Sequence, residues 1–108
     1  MTTNGSPAVV RFDGELDVSR KDELRSTLQS ALQAHSVLLD LAGVTYADST
    51  ALVELLHFCT DLKESDVPVA LLIETPQFAR LIKYAGLDQV FAVFDNRDEA
   101  LAYLAAQA

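Results

Sequence analysis

The chain has 108 residues, enough for one hydrophobic core and too few for two. Half of them are hydrophobic and 22% are charged, which excludes a disordered chain. Eight Lys and Arg against 16 Asp and Glu leave a net charge of −8, which argues against binding a nucleic-acid backbone or anionic lipid.

Residues 1–7 are expected to form a flexible N-terminus, with neither the basic start nor the apolar stretch of a secretory leader. Residues 8–108 read as one domain. With Cys59 the single cysteine, no internal disulfide can form, and no apolar run approaches the ~20 residues of a membrane span. A cytoplasmic location is the expectation.

Ala8–Phe12 is a short β-rich segment, and Asp13-Gly14 reads as the turn that ends it. Ser19-x-x-Asp22 has the pattern of a capping box opening a helix over about residues 20–34, with Leu24, Leu28, Ala31 and Leu32 on its apolar stripe. Val37–Leu41 is a continuous apolar run of the kind covered on both faces in parallel sheets, and Ala42-Gly43 is expected to break it. Asp48-Ser49-Thr50 offers three N-cap residue types before a helix over about residues 50–63, whose buried side is Leu52, Leu55, Leu56 and Cys59. Pro68–Ile73 is a further buried strand. Thr75 then stands as an N-cap before Pro76 at the first helical position. Phe78, Leu81, Ile82 and Ala85 line that helix, and Gly86 stands just past its end. Val90–Phe94 is the last strand. Asp95 is expected to cap a final helix burying Ala100, Leu101, Leu104 and Ala105.

Four alternating strand–helix units predict an α/β fold with a mostly parallel sheet of four to five strands and right-handed crossovers. Functional groups then concentrate at the carboxyl ends of the strands, around Asp13–Asp17, Gly43–Thr50, Glu74–Gln77 and Asp95–Arg97.

The chain has neither phosphate-loop signature. A receiver-type phosphoacceptor domain would want paired acids after its first strand and a lysine after its last; Asp13 and Asp17 are too widely spaced, and Asp95-Asn96-Arg97 follows the last strand. Glu54-Leu55-Leu56-His57 is one Glu-x-x-His pair where di-metal carboxylate sites need two, so both residues are read as solvated or partner-facing. His35, past a helix C-terminus, is read as a cap or as plainly solvated. Cys59, on the apolar stripe, is read as an inert core thiol. Ser49 lacks the G-x-S-x-G setting of a hydrolase nucleophile, and His57 lies roughly 12 Å further along the same helix. No catalytic residue, cofactor or metal ligand is therefore assigned. Taken alone, Ser49 is explained by helix capping.

Its context changes that. Leu38-Leu39-Asp40-Leu41-Ala42-Gly43-Val44-Thr45-Tyr46-Ala47-Asp48-Ser49-Thr50-Ala51-Leu52 resembles the central motif of the STAS family, which includes the anti-sigma factor antagonists and the regulatory domains of sulfate transporters. Gly14-Glu15-Leu16-Asp17, followed by Ser19, resembles the family's Gly-Glu-Leu-Asp turn. Thr75-Pro76 through Phe91 resembles its third helix, Gly-Leu turn and last strand. The likeness runs from about residue 8 to 105.

The resemblance implies a protein–protein switch. An unphosphorylated antagonist binds an anti-sigma factor of the serine-kinase type and so releases the sigma factor. The kinase phosphorylates the serine after the motif's aspartate, here Ser49, with Thr50 as second choice, and a phosphatase resets it. The free N–H groups of a helix start would accept such a phosphate without breaking the fold. The expected partner surface comprises Asp17, Asp48, Ser49 and Thr50, with the outward stripe Val53, His57 and Thr60 and with Leu56 at its edge. An alternative is an accessory subunit of a lipid-transport ATP-binding cassette complex. Three departures stand out. Antagonists often carry Gly at the positions of Ala51 and Val53, and the family's usual first strand is reduced to Thr2–Ser6. An open sheet edge would then allow a homodimer. Neither nucleic acid nor direct membrane binding is expected.

Overall fold

The computed structural model describes residues 7–107; apart from Pro7, the expected flexible N-terminus lies outside them. Four strands, β1 (Ala8–Leu16), β2 (Val37–Ala47), β3 (Val69–Leu72) and β4 (Ala92–Phe94), form one parallel sheet in the order β1-β2-β3-β4. Four helices alternate with them: α1 (Lys21–Gln29), α2 (Ser49–Glu64), α3 (Pro76–Tyr84) and α4 (Arg97–Ala106).

Because the strand order never reverses, right-handed crossovers carry α1, α2 and α3 to the same face. Leu24, Leu28, Leu55, Phe58, Leu62, Phe78 and Ile82 pack there against Val37, Leu39, Leu41, Leu71 and Ile73. Among the described residues only α4, which follows the last strand, covers the other face, setting Ala100 and Leu104 on Leu38, Ala70 and Leu72. Strands β2 and β3 therefore bury both faces, which is why they read as unbroken apolar runs. β1 is an edge strand, and beyond the reach of α4 its Val9 stays exposed.

Several local expectations are corrected. β1 does not turn at Asp13-Gly14; it continues to Leu16 through two register shifts against β2. Gly14, at φ +78, absorbs this irregularity in a conformation a side chain would resist. Ala42-Gly43 does not break β2 either. Gly43 is paired with Asp13, and a Cβ there would lie 1.8 Å from the Asp13 carboxylate, so the glycine admits the neighbouring side chain instead of ending the strand. α1 stops at Gln29, five residues early. The Ser30 hydroxyl donates to Thr27 O at 2.6 Å, and the chain continues in tighter turns, Ala31 N–H to Leu28 O and Leu32 N–H to Gln29 O, that still bury Ala31. α4 is capped by Asn96, whose side chain accepts from Glu99 N–H at 3.0 Å, not by Asp95, and its Ala105 is exposed. Gly86 does occupy the left-handed position beyond α3.

Asp40 is fully buried on the α4 face of β2. Its carboxylate accepts from Arg11 on β1 at 3.0 Å, from Arg97 at the start of α4, and from the Ala42 N–H at 3.2 Å. This ion cluster pins the lone fourth helix across the sheet.

Candidate functional site

The carboxyl ends of β1 and β2 meet in register. Leu16 pairs with Ala47, and the Asp48 N–H continues the ladder by donating to Leu16 O at 3.1 Å. Asp17 and Asp48 thus follow adjacent strand ends, where parallel sheets gather their functional groups.

Asp48 caps α2. Its backbone is extended, its carboxylate accepts from Thr50 N–H at 3.0 Å and from Ala51 N–H at 3.2 Å, and its carbonyl accepts from Leu52 N–H. Ser49 is consequently the first helical residue and is exposed, and it is not the cap. Capping, the plain explanation of this serine, is taken over by its neighbour. The expectation of free N–H groups for a phosphate is corrected too, since two first-turn donors already serve Asp48.

Asp17 does the same for the turn that precedes α1. It accepts from the Ser19 N–H at 3.0 Å and from the Ser19 hydroxyl, and that hydroxyl contact is the main reason its carboxyl titrates below the usual aspartate range. The expected Ser19–Asp22 capping box does not form, because Ser19 spends its hydroxyl on Asp17. Arg20 ties this turn to β1, donating to Asp13 O at 2.6 Å and Glu15 O at 3.0 Å and pairing with Glu23 at 2.8 Å.

From the far side, α3 holds the end of β2. The Gln77 side-chain amide donates to Ala47 O at 3.1 Å and accepts from Ala47 N–H at 3.2 Å. Thr75 stands at the expected N-cap position, but its hydroxyl donates across to Val44 O. The residue before Asp48 is therefore fixed on both its backbone groups.

Of the predicted contact residues, Val53, His57 and Thr60 are exposed and follow Ser49 along one stripe of α2. Leu56 is half-buried and packs against the core, and Asp17, Asp48 and Thr50 are also half-buried. Thr50 is less exposed than Ser49. Val18 and Lys21 belong to the same end and escaped the sequence reading, while Tyr46 and Gln77 fell within the strand-end ranges it named but were not singled out. Val18 is 66% exposed, and Tyr46 and Val53 are each 45% exposed. Three of the large apolar side chains left in solvent thus stand on segments that converge on Ser49. An exposed apolar residue at a strand's carboxyl end was the available signal.

Glu54 is not solvated, contrary to expectation. It is buried and receives two hydrogen bonds from the Arg25 guanidinium, at 3.0 and 3.1 Å. Those bonds hold its carboxyl below the usual glutamate range against the opposing effect of burial. Turned inward, it leaves His57 outside. Cys59 is the core thiol anticipated, and burial pushes its pKa up to about 12. Among the described residues, no group of three or more His, Cys, Asp or Glu is placed to hold a metal ion, and no helix is long and apolar enough to cross a membrane.

Comparison with known proteins gives the same outline. The profile of the STAS domain matches residues 1–100. An anti-sigma F factor antagonist of Paenibacillus polymyxa is 27% identical over 99 residues, covering 89% of this chain and 85% of the relative. The crystal structure of an anti-sigma factor antagonist from Mycobacterium paratuberculosis superposes with a TM-score of 0.83 at 23% identity, over 89% of this chain and 83% of that one. A sulfate transporter family protein from Wolinella succinogenes shares the fold at a TM-score of 0.74 and 20% identity, over 93% of this chain and 85% of its own.

Proposed function

The chain belongs to the STAS domain family, and from that membership we propose that it is an anti-sigma factor antagonist whose docking is switched by phosphorylation of Ser49. The reading is carried by one observation: Ser49 is exposed at the first turn of α2 while Asp48 does the capping, so the hydroxyl is free for another task. Val18, Tyr46 and Val53 around it supply the apolar area that a docking surface needs. The relative from Paenibacillus polymyxa, an anti-sigma F factor antagonist, supports the choice of partner.

The partner is an anti-sigma factor that is itself a serine kinase. Ser49 Oγ attacks the γ-phosphorus of ATP bound to that kinase. The new O–P bond forms as the bond to the β-phosphate oxygen breaks, ADP leaves, and the hydroxyl proton passes to a base of the kinase. The product carries about two negative charges beside Asp17 and Asp48. Docking would require stripping water from that cluster, which costs several kcal/mol unless the partner pairs it. A loss of about 4 kcal/mol is a thousandfold in affinity. A phosphatase restores the binding form.

Incubation with the anti-sigma kinase of the same cell and ATP tests this. Wild type should gain one phosphoryl mass, localised to Ser49. Ser49→Ala should bind the kinase and gain none, and Ser49→Asp should bind it far more weakly. Tight binding of Ser49→Asp sinks the proposal. So does co-purification with a transporter ATPase while Ser49 stays unmodified, which is the outcome expected of a transport subunit.

A further inference from the structure

A phosphoryl group on Ser49, which rests on the reading above, arrives in an acidic corner where two of the helix's first-turn donors are already taken. Asp48 already holds the Thr50 and Ala51 N–H groups. Asp17 is kept ionised by Ser19. The phosphate must find its positive charge elsewhere.

Three cations stand on or next to α1. Arg20 is committed to Asp13 O, Glu15 O and Glu23. Arg25 is committed to Glu54. Lys21, the first residue of α1, forms no ion pair among the described residues and is exposed. It lines a cleft of about 230 Å³ together with Ser49, Thr50, Val53 and Glu54. Sharing that cleft with four residues of α2 places it on the α2 side of its own helix.

We infer that Lys21 is the intramolecular receptor for the phosphoryl group on Ser49. The ammonium reaches across the cleft, pairs with the phosphate oxygens and joins the start of α1 to the start of α2. The modified form is thereby held as a defined state of the domain, and the phosphate is turned towards α1. Lys21 is a positioning residue and takes no part in the transfer itself.

The test needs no kinase. Phosphoserine is incorporated at position 49 during translation, and the second ionisation of the phosphate is followed by 31P NMR in the intact chain. The charged groups around it are Asp17, Asp48, Lys21 and the Glu54–Arg25 pair, with His57 two turns along α2. All but Lys21 are common to the proteins compared. The phosphate of wild type should titrate about half a pH unit below that of Lys21→Met, as expected for one exposed ion pair. The difference should shrink in 1 M salt, and Lys21→Arg should restore it. Lys63→Met, a control at the far end of α2, should titrate like wild type.

Equal values for wild type and Lys21→Met overturn the inference, as does an equal displacement in Lys63→Met, which would reduce the effect to general charge. Lys21→Gln repeats the comparison should Lys21→Met melt lower before modification. A kinase that leaves Ser49 unmodified defeats the functional reading alone, because the titration is measured on phosphate placed by synthesis.

Discussion

Glu54 stands three residues after Ala51 and four before Phe58, both buried, so helical spacing alone carries it into the α1–α2 seam. Its charge conceals that position in the sequence, and Arg25, on a helix 29 residues away, is the partner that makes the position tenable. The pair sets a pH dependence. The carboxyl is depressed in the folded state, so its stabilising contribution is complete above the ordinary glutamate value of 4.5 and is lost as pH falls through the folded value. Arg25→Ala leaves a buried carboxylate without its counter-ion. It should lower stability measurably at pH 7, but by less than the loss of a fully buried pair, because Arg25 is half exposed. The gap between variant and wild type should close in acid, once Glu54 is protonated in both. Urea unfolding at a series of pH values from 7 downwards measures it, and a gap that does not narrow as the pH falls contradicts the assignment. Ser49 and Asp48 were legible for the opposite reason: N-cap residue types are informative on their own, although only the backbone shows which of the two caps.

At the scale of elements, the types and order of the strands and helices follow from apolar spacing, while their ends depend on side chains brought from elsewhere. Asp13-Gly14 and Ala42-Gly43 look like breaks because each is a turn pair in isolation. They remain in strands because they face one another, with Gly43 opposite Asp13. The hold of α3 on β2 was equally hidden, since nothing in the sequence marks Gln77 as the partner of Ala47, 30 residues earlier. Gln77→Leu removes a donor and an acceptor from the backbone of buried Ala47 and should cost about 1–2 kcal/mol. Amide hydrogen exchange should accelerate at Ala47 and in the first turn of α2, while that of Leu71 in β3 should fall only as far as global stability does. Uniform acceleration across the sheet would show that Gln77 supports the fold as a whole and does not hold the Ser49 corner in particular. A corner held this way presents Ser49 from a fixed backbone, which is what the proposed phosphoryl transfer would require.

Over the whole molecule, the two faces of the sheet do different work. Three helices and the Ser49 end lie with one face. The other is covered by α4, joined through Asp40 to Arg11 and Arg97. Right-handed crossovers make the first arrangement legible in advance, but they say nothing of a helix with no strand after it, and Asp40 within an apolar run gave no hint of its two arginines. The cluster is asymmetric. Asp40 is fully buried, whereas the Arg11 and Arg97 side chains are 53% and 45% exposed. Losing one arginine leaves Asp40 with the other and should lower the denaturant midpoint only modestly. Losing both strands a carboxylate between helix and sheet, for which about 3–5 kcal/mol is expected, so Arg11→Ala and Arg97→Ala should be more damaging together than the two singles summed. Denaturant midpoints of wild type, both single variants and the double variant close that cycle. Additive losses would mean that water, not the second arginine, satisfies Asp40 in each single variant. Because α4 and Ser49 sit against opposite faces, the proposed phosphorylation of Ser49 should run at the wild-type rate in either single variant below its unfolding transition. The Asp40 cluster behind the sheet and the Ser49 corner at its carboxyl end are then separable, the first acting on stability and the second on the proposed switch.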